Sequence, residues 1–255
     1  MRKVLASAAL LCLTLPLLAQ KIEYSAQVYS GLYRYAGSPT AGNSVVIGGQ
    51  DNSGSYTGNP YGNKNGVSYG AAVQAQVIKG SHFIIGLQTG YEILRSKVSI
   101  NTYYPYSNQY VLYSSTAIAP NAIDVTGSTH LQSSYININP YIGYRVSFKK
   151  VNVDLLPGID IGLQTAEPRE RGKIKLNDGS EYTTNYSRED QNDTDIRLRF
   201  GLAATYKKLG LTASYAHGFS NRYPALYYIQ DYPGTPEAEK AHSELIRFGI
   251  SYRFN

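Results

Sequence analysis

Residues 246–254 read IRFGISYRF, and their alternation decides the fold. Ile246, Phe248, Ile250, Tyr252 and Phe254 fall on one face of a two-residue period, while Arg247, Gly249, Ser251 and Arg253 fall on the other. The first face is wholly apolar and aromatic. The second carries two arginines and two small residues. A strand so divided separates an apolar medium from a polar one. At the end of a chain it reads as the closing strand of a barrel that crosses a membrane.

Working back from that strand, seven more runs show the same period. The first begins at Ile22, Tyr24, Ala26 and Val28 and continues to about Tyr35. Others cover 67–77, 83–93, 136–146, 151–163, 196–206 and 211–215. Short turns at 79–82, 148–150 and 207–210 join them in pairs, and polar connections at 36–66, 95–132, 166–194 and 219–240 separate the pairs. This rhythm predicts an all-β fold: an eight-stranded, antiparallel, up-and-down transmembrane β-barrel with short periplasmic turns and four long extracellular loops. The segments 98–104 and 110–115 leave a ten-strand variant open. Pro140 and Pro157 fall inside strands, where each removes a ladder hydrogen bond, so bulges are expected there.

Composition agrees. The chain has 255 residues with 25 Tyr and 24 Gly, few of any helix-favouring pattern, and no long apolar run after the N-terminus. Arg2 and Lys3 followed by an apolar stretch to Leu18 read as a secretory signal peptide over 1–19, with the barrel domain over 20–255. The one cysteine, Cys12, lies in that leader, so the mature chain has no thiol chemistry. Removing Arg2 and Lys3 leaves 22 Lys+Arg against 18 Asp+Glu, a net charge of +4. Without a basic stripe or a nucleic-acid motif, that modest excess excludes nucleic acid as a partner.

The polar face carries Glu23, Glu92, Arg145, Asp154, Asp160, Arg197, Arg199, Arg247 and Arg253. Such a mixed set belongs inside, and the apolar face with tyrosines near the strand ends belongs against lipid. Counted from the short turns, Glu23, Arg145, Asp154 and Arg253 lie low, and the others lie higher. Closure of the barrel brings Glu23 towards Arg253, and neighbouring strands bring Asp160 towards Arg197 or Arg199. An interior of eight strands is filled by side chains, so paired charges predict a plugged barrel rather than a pore.

The ending IRFGISYRFN, NPYIGYRV at 139–146 and VDLLPGIDIGL at 153–163 resemble the small outer-membrane β-barrel family, OmpX/OmpA-like and PorT-type, known as the outer membrane protein β-barrel domain. The resemblance implies residence in the outer membrane of a Gram-negative cell envelope, beside lipopolysaccharide. It implies that Phe248, Ile250, Tyr252 and Phe254 serve as the signal for the outer-membrane assembly machinery. Asn255 departs from the pattern by following Phe254 at the end of the sequence. The function expected is structural, adhesive or partner-docking through the loops. The alternatives are a porin-like conduit for small solutes and an accessory subunit of an outer-membrane secretion system.

Constellations that carry chemistry are few. Outer-membrane lipid A deacylases pair a His and a Ser two residues apart; here His217 and Ser220 are three apart and fall on opposite faces. No catalytic residue, cofactor or metal is expected, and His82, His130 and His242 show no ligand spacing. Asp190, Asp193 and Asp195 read as a polar strand end. Arg169, Arg171, Lys173 and Lys175 form a basic cluster in the third loop, a candidate site for lipopolysaccharide phosphates or another anionic surface partner. Tyr103, Tyr104, Tyr106, Tyr110 and Tyr113 make the second loop a candidate contact surface.

Overall fold

The computed structural model describes residues 21–48, 55–80, 82–105, 122–188, 194–222 and 240–255. The leader expected over 1–19 lies outside them. Eleven strands form one continuous sheet: β1 (Lys21–Ala36), β2 (Asn43–Ile47), β3 (Tyr56–Thr57), β4 (Lys64–Lys79), β5 (Phe83–Tyr104), β6 (Ile123–Phe148), β7 (Val151–Leu176), β8 (Glu181–Ser187), β9 (Thr194–Tyr206), β10 (Leu209–Gly218) and β11 (His242–Arg253).

Eight of them close on themselves in the order β1-β4-β5-β6-β7-β9-β10-β11, every neighbouring pair antiparallel. The seam is the opening stretch of sequence: β11 pairs with β1 from Ser25↔Arg253 to Ala36↔His242. Three tight turns stand at one end. Lys149 and Lys207 adopt φ of 46° and 54°, and Gly80 63°, the left-handed conformation that matches a short hairpin turn to strand twist. With all edges joined, no backbone ladder is left open, which is the condition for a sheet in hydrocarbon.

The ends of β5, β6 and β7 continue beyond this ring and take part in a second one. There β2 lies parallel to β5 (Asn43↔Ser99 to Ile47↔Tyr104), β3 pairs with β2, and β8 pairs with β7 (Arg169↔Ser187 to Lys175↔Glu181). A bridge between Ser55 and Thr184 joins the β3 side to β8, so six strands close in the order β2-β5-β6-β7-β8-β3. This upper ring has an apolar interior of Val46, Val98, Ile100, Tyr103, Val125 and Ile174.

The sequence reading thus needs correction in three places. Residues 98–104, offered as half of an extra hairpin, extend β5 without a break; 110–115 lie outside the described residues. The connections after β1 and β7 are not merely polar loops, because they supply β2, β3 and β8. Pro140 and Pro157 cause no bulge: Ile138↔Ile161, Tyr141↔Gly158 and Tyr144↔Leu155 keep one register across both. The β6–β7 register shifts instead around Ser134, where the lower ring passes into the upper.

Candidate functional site: a layered charged interior and a basic outer face

The lower ring is filled in layers. Nearest the short turns, Arg145 on β6 stands opposite Asp154 on β7 and donates from Nε and Nη2 at 2.6 and 2.7 Å. Its Nη1 and Nη2 also reach Glu23 on β1 at 3.1 and 2.9 Å. Arg253, from the seam strand, meets the same Glu23 at 3.1 Å, and Gln76 donates to it at 2.9 Å. Two acids and two arginines therefore share one buried knot.

Above it lies a layer of amides and hydroxyls, in which Tyr141 donates to Gln76 and Arg199 donates to Gln88 and Asn139. These groups surround a cavity of about 40 Å3. That is room for a few water molecules and not for a passing solute.

The next layer is the densest. Arg197 Nη1 contacts Glu92 at 2.7 Å and Asp160 at 3.3 Å, while its Nε contacts Asp195 at 2.8 Å. Arg247 Nη2 meets Glu92 and Asp160, both at 2.7 Å. Asn137 donates to Asp160 and Ser243 to Asp195. Tyr135 and Tyr29 present ring faces to Arg197 and Arg247 at 5.4 and 5.6 Å. Arg197 and Arg247 thus pair directly with the three acids, and Arg199 in the layer below brings the third positive charge. Burial in low dielectric demands that balance, since an unpaired ion there is far costlier than a paired one. The two arginines of the closing strand belong to different layers, Arg253 low and Arg247 high.

A fourth layer caps the lower ring with Tyr33, Tyr35, Tyr61, Leu94, Leu131, Tyr135 and Leu245, the tyrosine rings meeting edge to face at 5.2 Å. Within the upper ring one acid is buried: Glu170 accepts from Thr57 N at 2.5 Å, from Thr57 Oγ1, and from Arg188 Nε and Nη2 at 3.2 and 3.0 Å. Arg188 Nη2 also donates to the Thr57 carbonyl, so Glu170 and Arg188 tie the first connection to the third.

Two of these acids escape a sequence reading. Asp195, grouped there with Asp190 and Asp193 as a polar strand end, is fully buried in the dense layer; Asp190 and Asp193 lie outside the described residues. Glu170 hides between Arg169 and Arg171. The period-two rule would have placed it on the opposite face from them, had the strand been expected to run so far.

The basic cluster is also relocated. Arg169, Arg171, Lys173 and Lys175 stand on the outward face of β7, laddered to β6 on one side and β8 on the other, and not in a loop. Phe248, Ile250, Tyr252 and Phe254 project outward from the seam, all largely exposed. Asn255 extends that seam: its Nδ2 donates to the Ile22 carbonyl at 2.9 Å, and its Oδ1 accepts from Tyr24 N at 3.0 Å. His217 and Ser220 each have a different neighbour. His217 Nδ1 lies 3.7 Å from Glu244, and Ser220 Oγ accepts from Ile196 N at 2.9 Å. Tyr103 is built into the upper core and stacks on Tyr182 at 5.3 Å, whereas Tyr106, Tyr110 and Tyr113 lie outside the described residues. Among the described residues no group of His, Cys, Asp and Glu could hold a metal ion.

No protein-family model matches the chain, and no curated protein sequence does. Among solved structures it is similar to the attachment invasion locus protein Ail of Yersinia pestis, determined with the heparin analogue sucrose octasulfate, at 12% identity over 92% of this chain and 99% of that one, with a TM-score of 0.35. Neisserial surface protein A is 13% identical over 91% and 97% of the two chains, with a TM-score of 0.31. A Pseudomonas aeruginosa FadL homologue is 7% identical over 92% and 90%, with a TM-score of 0.24.

Proposed function

We propose that the chain is an integral barrel of a bacterial outer membrane, delivered by a cleaved signal peptide. In this reading it fills its own lumen and holds the upper ring at the cell surface as a structural, adhesive or partner-docking module. One observation carries the reading. Around the lower ring, large apolar side chains point outward, with Phe83, Ile85, Leu211 and Phe248 each more than 60% exposed, while the interior is charged. In water such a belt would far exceed the apolar patch a soluble monomer tolerates. In hydrocarbon it is the expected surface, and the closed ladder satisfies the backbone.

Paired arginines and carboxylates at two levels, with a tyrosine layer above, favour a plugged barrel over a solute conduit. Chemistry is not assigned; among the described residues no nucleophile is paired with a base at the rim. The outward aromatics Phe248, Tyr252 and Phe254 are offered as the signal to the assembly machinery. Refolded into planar bilayers, the protein should migrate faster in unheated than in heated denaturing gels and should conduct negligibly. Large, stable channels would overturn the plugged reading.

A further inference from the structure

The outward face of β5, β6 and β7 changes from apolar to basic along a single unbroken surface. Beyond Ile93 on β5 come Arg95 and Lys97; beyond Leu163 on β7 come Arg169, Arg171, Lys173 and Lys175. The register sets these side by side: Arg95↔Gln132↔Arg169 in one row, Lys97↔His130↔Arg171 in the next, Ser128↔Lys173 in a third. At roughly 3.3 Å per residue, Arg95 and Lys97 lie about 7 and 13 Å along the strand from Ile93.

Arg95 is held in place by Gln132 at 2.9 Å and by the hydroxyl and ring of Tyr69 on β4. Lys97, Arg169, Arg171, Lys173 and Lys175 make no salt bridge or side-chain hydrogen bond among the described residues. Burial above all, and then the nearby Lys97 and Arg95, hold the His130 imidazole below its ordinary pKa. Asp124, Glu167 and Glu181, the described acids on this face, stand at its edges, with Glu181 opposite Lys175. Across the barrel, the corresponding rim is neutralised: Arg34 is bonded to Glu244 at 2.7 Å, with His217 alongside. The Arg95, Lys97, Arg169, Arg171 and Lys173 rows are therefore one-sided and carry no ion pair among the described residues.

We infer that this face binds the phosphorylated headgroup of an outer-leaflet glycolipid, the phosphates lying on the Arg95, Lys97, Arg169, Arg171 and Lys173 rows while the acyl chains continue down the apolar face below. The inference rests on the membrane reading given above. Continuity selects a lipid over a soluble anion. The basic rows begin within two residues of the belt on β5, so a ligand spanning both surfaces must be an amphiphile. Arginine forks match phosphate oxygens in pairs, and basic groups close to an anionic surface each add about fivefold in affinity.

The test compares the wild-type chain with a Lys97→Gln/Arg169→Gln/Arg171→Gln/Lys173→Gln variant, each inserted into phosphatidylcholine vesicles containing a minor fraction of diphosphoryl lipid A. All four side chains are outward and outside both cores, and gel mobility before heating verifies that the variant folds. Wild type should retain lipid A through detergent extraction in preference to its dephosphorylated form. The variant should lose about six-hundredfold in affinity, and Arg34→Gln on the opposite rim should lose nothing. Salt should weaken wild-type binding and barely affect the variant. Insertion with equal retention of phosphorylated and dephosphorylated lipid overturns the inference and leaves the membrane reading standing. So does binding of soluble pyrophosphate as tight as that of lipid A, which would assign the face to a free anion. Failure to enter any vesicle removes the membrane reading itself.

Discussion

β5, β6 and β7 run through both rings, and the two faces of each strand exchange chemistry between the lower part and the upper. On β5 the outward residues pass from Ile85, Leu87 and Tyr91 to Arg95, Lys97 and Ser99, while the inward ones pass from Gln88 and Glu92 to Val98 and Ile100. On β6 the outward set passes from Ile142, Ile138 and Ile136 to Gln132, His130 and Ser128, and the inward set from Arg145, Asn139 and Asn137 to Leu131 and Val125. On β7 outward Leu155, Ile159 and Leu163 give way to Thr165, Arg169 and Arg171, and inward Asp154 and Asp160 give way to Ile174.

A strand cannot turn its faces over without breaking the ladder, because alternation is fixed by the pleat. Only composition can follow a change of medium. Below the crossing the outside is apolar and the polar groups must satisfy one another within. In the proposed membrane setting, water takes the polar face above the crossing, and apolar burial supplies the core. The crossing falls at one level on all three strands, near Ile93, Ser134 and Leu163, where the β6–β7 register also slips.

The largest effect is expected at the dense charged layer. Arg197→Met would leave Glu92, Asp160 and Asp195 short of a partner, and should destabilise the barrel by about 3–5 kcal/mol in detergent–urea unfolding. Next, Leu87→Lys puts a charge on the outward face of the lower ring and should cost roughly 2–4 kcal/mol in lipid. Ser99→Lys, the same charge on the same strand above the crossing, gives up the hydrogen bond from Lys64 and should cost about 1 kcal/mol, well under the Leu87→Lys loss. Equal costs would mean that both rings share one solvent. In the upper core, Ile100→Val should cost about 1 kcal/mol. Hydrogen exchange should show that loss in β2, β3 and β8 and not at the β1–β11 seam. Smallest is Asn255→Ala, which removes two exposed hydrogen bonds at the end of the seam and should cost about 0.5–1 kcal/mol.

The lower ring was legible because its faces differ in hydrophobicity at a strict period of two. The eight runs, three tight turns and inward placement of Glu23, Glu92, Arg145 and Arg247 all follow from that signal. The upper ring was not legible, for a physical reason. There the inward face mixes apolar Val125, Leu131 and Ile174 with Gly127, Ser133, Glu170 and Gly172, so 123–134 and 164–176 show little contrast and read as loops. β2 and β3 are five and two residues long, too short for any period. The partners of Glu170 lie 113 and 18 residues away, beyond any local pattern. Asp195 was misread because its neighbours Asp190 and Asp193 suggested a surface cluster, when its own alternation with Ile196 placed it inside.

The central claim is that one strand crosses from hydrocarbon into water between Ile93 and Arg95. Site-directed spin labelling tests it most directly, and Cys12 in the leader is the sequence's one cysteine. Ile85→Cys, Leu87→Cys, Tyr91→Cys, Lys97→Cys and Ser99→Cys each place a label on the outward face of β5. In vesicles, collision with dissolved oxygen should exceed collision with a water-soluble nickel chelate at 85, 87 and 91, and the ratio should invert at 97 and 99. A ratio that stays constant along the strand, or that inverts below 91, would contradict the account.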